Sequence, residues 1–221
     1  MDAQIAAWEP GGDRRFVFLK CYRMMTGNVL AAIDAGEFSH GIWVDSLLQR
    51  FAGYYFEALE LYQHGSAKTP LIWQYTFEKT AGGRLNVLQQ LFLGVNAHIN
   101  YDLVFTIEEM LRPLWTNLNE QERQAYRADH SHINDVIYRT IDAVQDEVVE
   151  KLSPWLDAVD VLLGRLDERL IAGLISGWRS EVWEHSRALL ETSNSEDRDR
   201  LCRSLEERVM KKARKIVRGG F

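Results

Sequence analysis

The stretch Asn96-Ala97-His98-Ile99-Asn100-Tyr101-Asp102-Leu103 decides how this chain is read. Polar and apolar residues alternate strictly through it, which is the period of a half-buried strand. Its flanks argue for the opposite. Leu85 to Leu91 and Ile107 to Leu111 are good helix formers, and no second strand-like run is present to pair with it. The stretch therefore reads as helix, and the chain as all-α: a single-domain multi-helix bundle over residues 1–221 with a buried polar central helix. On that helix His98 and Asp102 share one face at i, i+4, while Asn96 and Asn100 share another. The apolar neighbours Leu91-Phe92-Leu93-Gly94-Val95 and Val104-Phe105 carry these four polar side chains inward. An unpaired buried amide or imidazole costs about 1–3 kcal/mol, so the four require protein partners, a ligand or a metal.

Outward from this segment the helical pattern continues. Asp13 is expected to cap a helix carrying Phe16, Leu19, Tyr22, Val29 and Ile33 and ending at Gly36. Asp45 is expected to open a second, closed by Gly65. Pro70 starts a short one stopped by Gly82-Gly83. The central helix is expected to end before Pro113, because the residue preceding proline disfavours the α region. Asn119 begins a further helical region through Leu152, Ser153-Pro154 caps another, and Ser193-x-x-Glu196 reads as a capping box for the last.

With 221 residues and 46% hydrophobic content the chain can bury one large core. No apolar run approaches the roughly 18 residues of a membrane span, and Met1-Asp2-Ala3-Gln4 lacks the basic and apolar regions of a secretory signal, so the expected location is cytoplasmic. Two cysteines, Cys21 and Cys202, are too few for a disulfide framework or a thiolate zinc site. The net charge is −6, with six cations and no acid from Arg208 to Phe221, so residues 1–207 carry −12. An acidic body excludes nucleic acid as the expected partner. In the tail, Val209, Met210, Ala213, Ile216 and Val217 recur at helical spacing, which makes 208–221 a basic amphipathic helix end. It is read as the last helix packed on the body rather than as a membrane-surface arm.

The pair His98-x-x-x-Asp102 suits a divalent ion of zinc or iron type, since an imidazole and a carboxylate one turn apart can reach one metal. Asp129 and His132 are the nearest further donors in sequence, and on a neighbouring antiparallel helix they would complete four ligands. The competing reading is that His98 and Asp102 hydrogen-bond each other inside a satisfied polar network. In Gly177-Trp178-Arg179-Ser180-Glu181-Val182-Trp183, a guanidinium sits beside two indoles, a surface suited to anionic or stacked ligands, unless Trp178 and Trp183 are packing residues and Arg179 pairs with an acid. No glycine-rich phosphate loop, nucleophile elbow or paired Glu-x-x-His motif is present.

The box from Phe92 to Leu103, followed by Asp129-x-x-x-Ile133-Asn134, preceded by Phe51-Ala52-x-Tyr54-Tyr55-Phe56 and with a late Trp178-x-x-x-x-Trp183, resembles an uncharacterised family of bacterial helical proteins. That resemblance spans roughly residues 15 to 190 and implies a shared fold and site without an activity. Leu93-Gly94-x-x-x-His98-x-x-x-Asp102 is also similar to the helical zinc-dependent phospholipase C and nuclease group, in which the corresponding His and Asp bind zinc. The similarity departs in two places. Trp8 is not N-terminal, and Asp102 is followed by Leu103-Val104-Phe105-Thr106-Ile107 without another histidine, which is incompatible with a three-metal site.

Three functions follow as expectations. In the first, His98, Asp102, Asp129 and His132 hold a metal that activates water in a hydrolase, and Arg179 stabilises an anionic group of a small anionic or ester substrate. In the second, a metal-free enzyme or small-molecule-binding protein has an apolar cavity in which Asn96, His98, Asn100 and Asn134 orient the ligand, with Trp178 and Trp183 nearby and His98 polarised by Asp102. In the third, the polar box locks a structural module whose basic tail meets a partner. The sequence does not specify an oligomeric state.

Overall fold

A computed structural model describes residues 1–82, 84–151 and 168–219 of the chain. The described residues are helical, without strands. The helices are α1 (Asp2–Trp8), α2 (Phe16–Asp34), α3 (Gly41–Gln63), α4 (Leu71–Ala81), α5 (Val87–Ala97), α6 (Leu103–Trp115), α7 (Glu120–Val144), α8 (Glu168–Glu191) and α9 (Ser195–Val217). A π turn, His98–Asp102, joins α5 to α6, and a second, Gln145–Glu150, follows α7.

The α5–π–α6 rod is the element around which the others gather. It is contacted by α2, α3, α4, α8 and α9, and α7 packs across α2 and α8. The reason is its composition: Phe92, Leu93, Ala97, Leu103, Val104, Ile107 and Leu111 are all buried, so it needs neighbours on more than one side. Asn96, His98, Asn100 and Asp102 are buried with them, at 0, 2, 5 and 1% exposure. One continuous core runs from Ile5 to Ile216. Within the described residues α2 is long and apolar enough to cross a membrane by length and composition, with mean hydropathy 1.2. Here Val17, Leu19, Cys21 and Val29 of α2 are core residues.

Several helix ends follow local chemistry. At the end of α2, the Gly36 and Glu37 N–H groups donate to the Ile33 and Ala32 carbonyls, and Gly36 has φ 72°. Gly65 closes α3 in the same way at φ 62°, the left-handed conformation that favours glycine. Asn86 caps α5 in a reciprocal pair with Gln89, and Asn119 pairs likewise with Glu122 at the start of α7.

Elsewhere the structure corrects the sequence reading. A helix absent from it, α1, precedes α2. Asp13 receives the Arg15 N–H and guanidinium ahead of α2, which starts at Phe16. The second expected helix, α3, opens at Gly41, not Asp45. The cap of α9 is Asn194, whose side chain accepts from the Glu196 N–H, not Ser193. Pro113 lies inside α6 instead of ending it. Only one backbone bond near the helix end is lost there, and the last turn is held by buried Trp115, whose carbonyl accepts from Arg123 Nη2 at 2.9 Å. Ser153-Pro154 lies outside the described residues.

The basic C-terminal segment packs on the body. Val209, Met210, Ala213 and Ile216 are buried, and Gln89 Nε2 donates to the Ile216 and Val217 carbonyls, 3.0 Å each.

Candidate functional site

His98 and Asp102 meet as the i, i+4 spacing requires, with Nδ1 to Oδ2 at 2.9 Å. The Trp73 indole N–H from α4 approaches both carboxylate oxygens at 2.9 and 3.0 Å. The Thr106 hydroxyl donates to the Asp102 carbonyl at 2.8 Å, satisfying a backbone group beside the π turn. His98 Nε2 is left over, buried with no hydrogen-bond partner among the described residues, as are the hydroxyls of the neighbouring Tyr22 and Tyr55.

Aromatic rings enclose that imidazole. Phe51 stacks on it at 3.5 Å, Tyr22 meets it edge-on at 4.4 Å, and Phe18, Tyr55 and Trp73 complete the surround. Gly94 permits the close approach of Phe18, since a Cβ at position 94 would lie 2.3 Å from the Phe18 ring. In this apolar setting burial pushes the His98 imidazole well below its ordinary value and Asp102 well above its own, although the Trp73 donor favours the carboxylate. Both large effects favour an uncharged pair.

His98 lines a cavity of about 160 Å³ between α2, α3, α5, α7 and α8. Its described walls are almost entirely apolar, with Phe18, Met25, Val29 and Phe51 on one side and Ile133, Ile137, Val144 and Ile175 on the other. Among the described lining residues there is no acid, and Arg179 of α8 is the one cation. Cys21 also faces it, its thiol pushed up to about 12 by burial.

Arg179 does not pair with Asp102 or Asp129. Its Nη2 donates to the His130 carbonyl at 2.7 Å and lies 3.2 Å from His130 Nδ1, while His130 Nε2 is 3.0 Å from the Arg179 carbonyl. Both Arg179 and His130 are buried. That geometry fixes a neutral His130 with hydrogen on Nε2 and an accepting Nδ1. Burial, then the adjacent guanidinium, holds the His130 imidazole well below its usual value.

The remaining candidates have structural partners. Asn96 donates to the Val209 carbonyl at 3.1 Å and accepts from Asn100 at 3.0 Å, which ties the rod to α9. Asn134 contacts Ser176 Oγ at 3.3 Å. Trp178 packs edge-on to Phe92 beneath Lys212, and Trp183 lies 5.5 Å from the His130 ring. None of Asn96, Asn100, Asn134, Trp178 and Trp183 is among the described cavity-lining residues, so the site is more apolar than the expected amide-lined one.

The expected four metal ligands are not brought together. Asp129 accepts from the Ser39 and His40 N–H groups and from His40 Nδ1, all at 2.8 Å, and so caps the start of α3. His132 binds Glu37 at 3.0 Å and Asp135 at 3.1 Å. Among the described residues no three His, Cys, Asp or Glu side chains are grouped to share an ion. Asp102 and His98 Nδ1 are spent on each other and on Trp73, which leaves one histidine nitrogen where a metal needs three or four donors.

Two important residues were not expected at the site: Phe51 entered only through the family resemblance, and Trp73 had no sequence signal beyond apolar helical spacing. Phe51 and Trp73 lie on α3 and α4, and only the tertiary fold carries them to His98. A buried indole must find an acceptor, but which one is not local information.

No curated protein and no solved structure matches the chain. Residues 1–219 match the model of a family of unknown function, DUF5995, and the chain belongs to that family.

Proposed function

We propose that this protein binds a small, largely apolar molecule in the cavity beside His98, and that His98 Nε2 orients the ligand's polar atom without a metal. The observation that carries this is His98, which lines an apolar space of about 160 Å³ and whose buried Nε2 has no hydrogen-bond partner among the described residues. A protein cavity of roughly 150 Å³ admits benzene, so a ring or short chain is the appropriate size. The uncharged His98–Asp102 pair places a carboxyl O–H toward Nδ1 and leaves hydrogen on Nε2, which makes His98 a donor to a ligand oxygen. Asp102 and Trp73 then fix the ring's orientation, and Phe51 fixes its plane.

Titration with phenol, which has a single polar atom on a benzene-sized body, tests the proposal. Saturable binding is expected in the wild type, with at least a tenfold loss in Ile137→Phe, where the added bulk occupies the cavity. Absence of binding, or equal affinity in the filled variant, contradicts it.

A further inference from the structure

Arg179 is a buried cation that no anion among the described residues answers. It is 3% exposed, no described carboxylate pairs with it, and its Nε has no hydrogen-bond partner among the described residues. A guanidinium removed from water without a counter-ion is strongly unfavourable, and an apolar side chain of similar volume would serve packing alone better. The guanidinium is nonetheless held in place: neutral His130 offers its carbonyl and Nδ1 to Nη2, which orients the group without supplying a counter-charge. Arg179 lines the same cavity as His98, from α8.

We propose that the ligand of this cavity is a small amphiphilic monocarboxylate, paired through its carboxylate with Arg179 and filling the apolar space with a body of roughly six to ten carbon atoms. This rests on the reading of the cavity as a ligand site and adds the ligand's charge and class. A carboxylate matches the planar guanidinium, and the absence of acids from the described lining residues keeps the field inside favourable to an anion. Burial lowers Arg179 to about 9, so it still carries its proton at neutral pH, and an arriving anion strengthens that charge. A dianion or phosphate is disfavoured because one guanidinium would balance only part of its charge inside an apolar wall. A carboxylate with a hydroxyl or oxo group on its body would satisfy His98 Nε2 as well.

Calorimetric titration of the full chain with octanoate, phenylacetate and octan-1-ol tests this. The wild type is expected to bind octanoate or phenylacetate at least tenfold more tightly than octan-1-ol; which of the two is tighter distinguishes a chain from a ring. Arg179→Met, which removes a buried charge and keeps volume, is expected to stay folded, lose at least tenfold in carboxylate affinity and keep octan-1-ol affinity within threefold. Equal binding of octanoate and octan-1-ol by the wild type, or undiminished carboxylate binding by Arg179→Met, overturns the assignment while leaving the cavity as a neutral-ligand site. Binding of none of the three overturns both proposals together. The wild-type comparison stands even if the variant fails to fold.

Discussion

Phe51 lies flat on His98, with ring centroids 3.5 Å apart and planes 6° from parallel. One face of the imidazole is thereby covered, its Nδ1 edge belongs to Asp102, and the free edge is Nε2. The stack is formed by a neutral ring, because burial holds His98 well below its ordinary pKa. Replacing Phe51 by Leu is expected to cost about 1–1.5 kcal/mol of stability. It should also weaken ligand binding by freeing the ring plane. Chemical denaturation and a phenol titration on the same variant check both effects.

Trp73→Phe removes the indole N–H from Asp102 with little change of shape. The carboxyl then keeps His98 as its remaining side-chain partner. A loss of about 1–3 kcal/mol is expected, the range for stranding a buried polar group, measured as a shift in urea midpoint at constant slope.

Gly94→Ala places a methyl group 2.3 Å from Phe18 Cγ, and Phe18 packs against His98. Destabilisation of about 1–3 kcal/mol is expected from overpacking, with perturbed NMR signals at His98. An unchanged melting temperature would show that Phe18 has room to move.

The pH dependence of stability tests the charge state of the pair. His98 and His130 have folded pKa values below the ordinary 6.5, so the unfolded chain binds their protons first, and stability falls as pH drops below about 6.5. Asp102 acts in the opposite sense. Its folded pKa is raised above 3.8, so its contribution is full below that value and is lost as pH rises. Asp102→Asn mimics the neutral carboxyl and deletes the opposing effect. That variant is expected to remain folded at pH 7 and to lose stability more steeply than the wild type between pH 6.5 and 4.5. Each histidine contributes at most about 1.4 kcal/mol per pH unit. A shallower slope in the variant contradicts the uncharged pair.

The helical identity of residues 96–103 was legible because flanking propensity outweighed a short alternating pattern. The contact of His98 with Asp102, and of Asn96 with Asn100, followed from spacing within one segment. The metal ligands were misplaced because Asp129 and His132 sit on a different helix, and sequence spacing does not say which neighbour each face of α7 meets. Asp129 meets the Ser39–His40 backbone and His132 meets Glu37, contacts across some ninety residues. An amide-lined apolar cavity was one of the expectations; the walls depend on how α2, α7 and α8 meet, and only the structure shows that no described acid answers Arg179. Pro113 was overweighted as a stop because a proline in the last turn sacrifices only one hydrogen bond.

The most direct test follows the two ring nitrogens of His98 by 15N NMR while phenol is added to saturation. The Nε2 resonance is predicted to move with the binding isotherm as it acquires a ligand oxygen, while Nδ1 keeps the signature of its bond to Asp102. Saturable binding that leaves both His98 nitrogens unmoved, or no binding at all, would contradict the account.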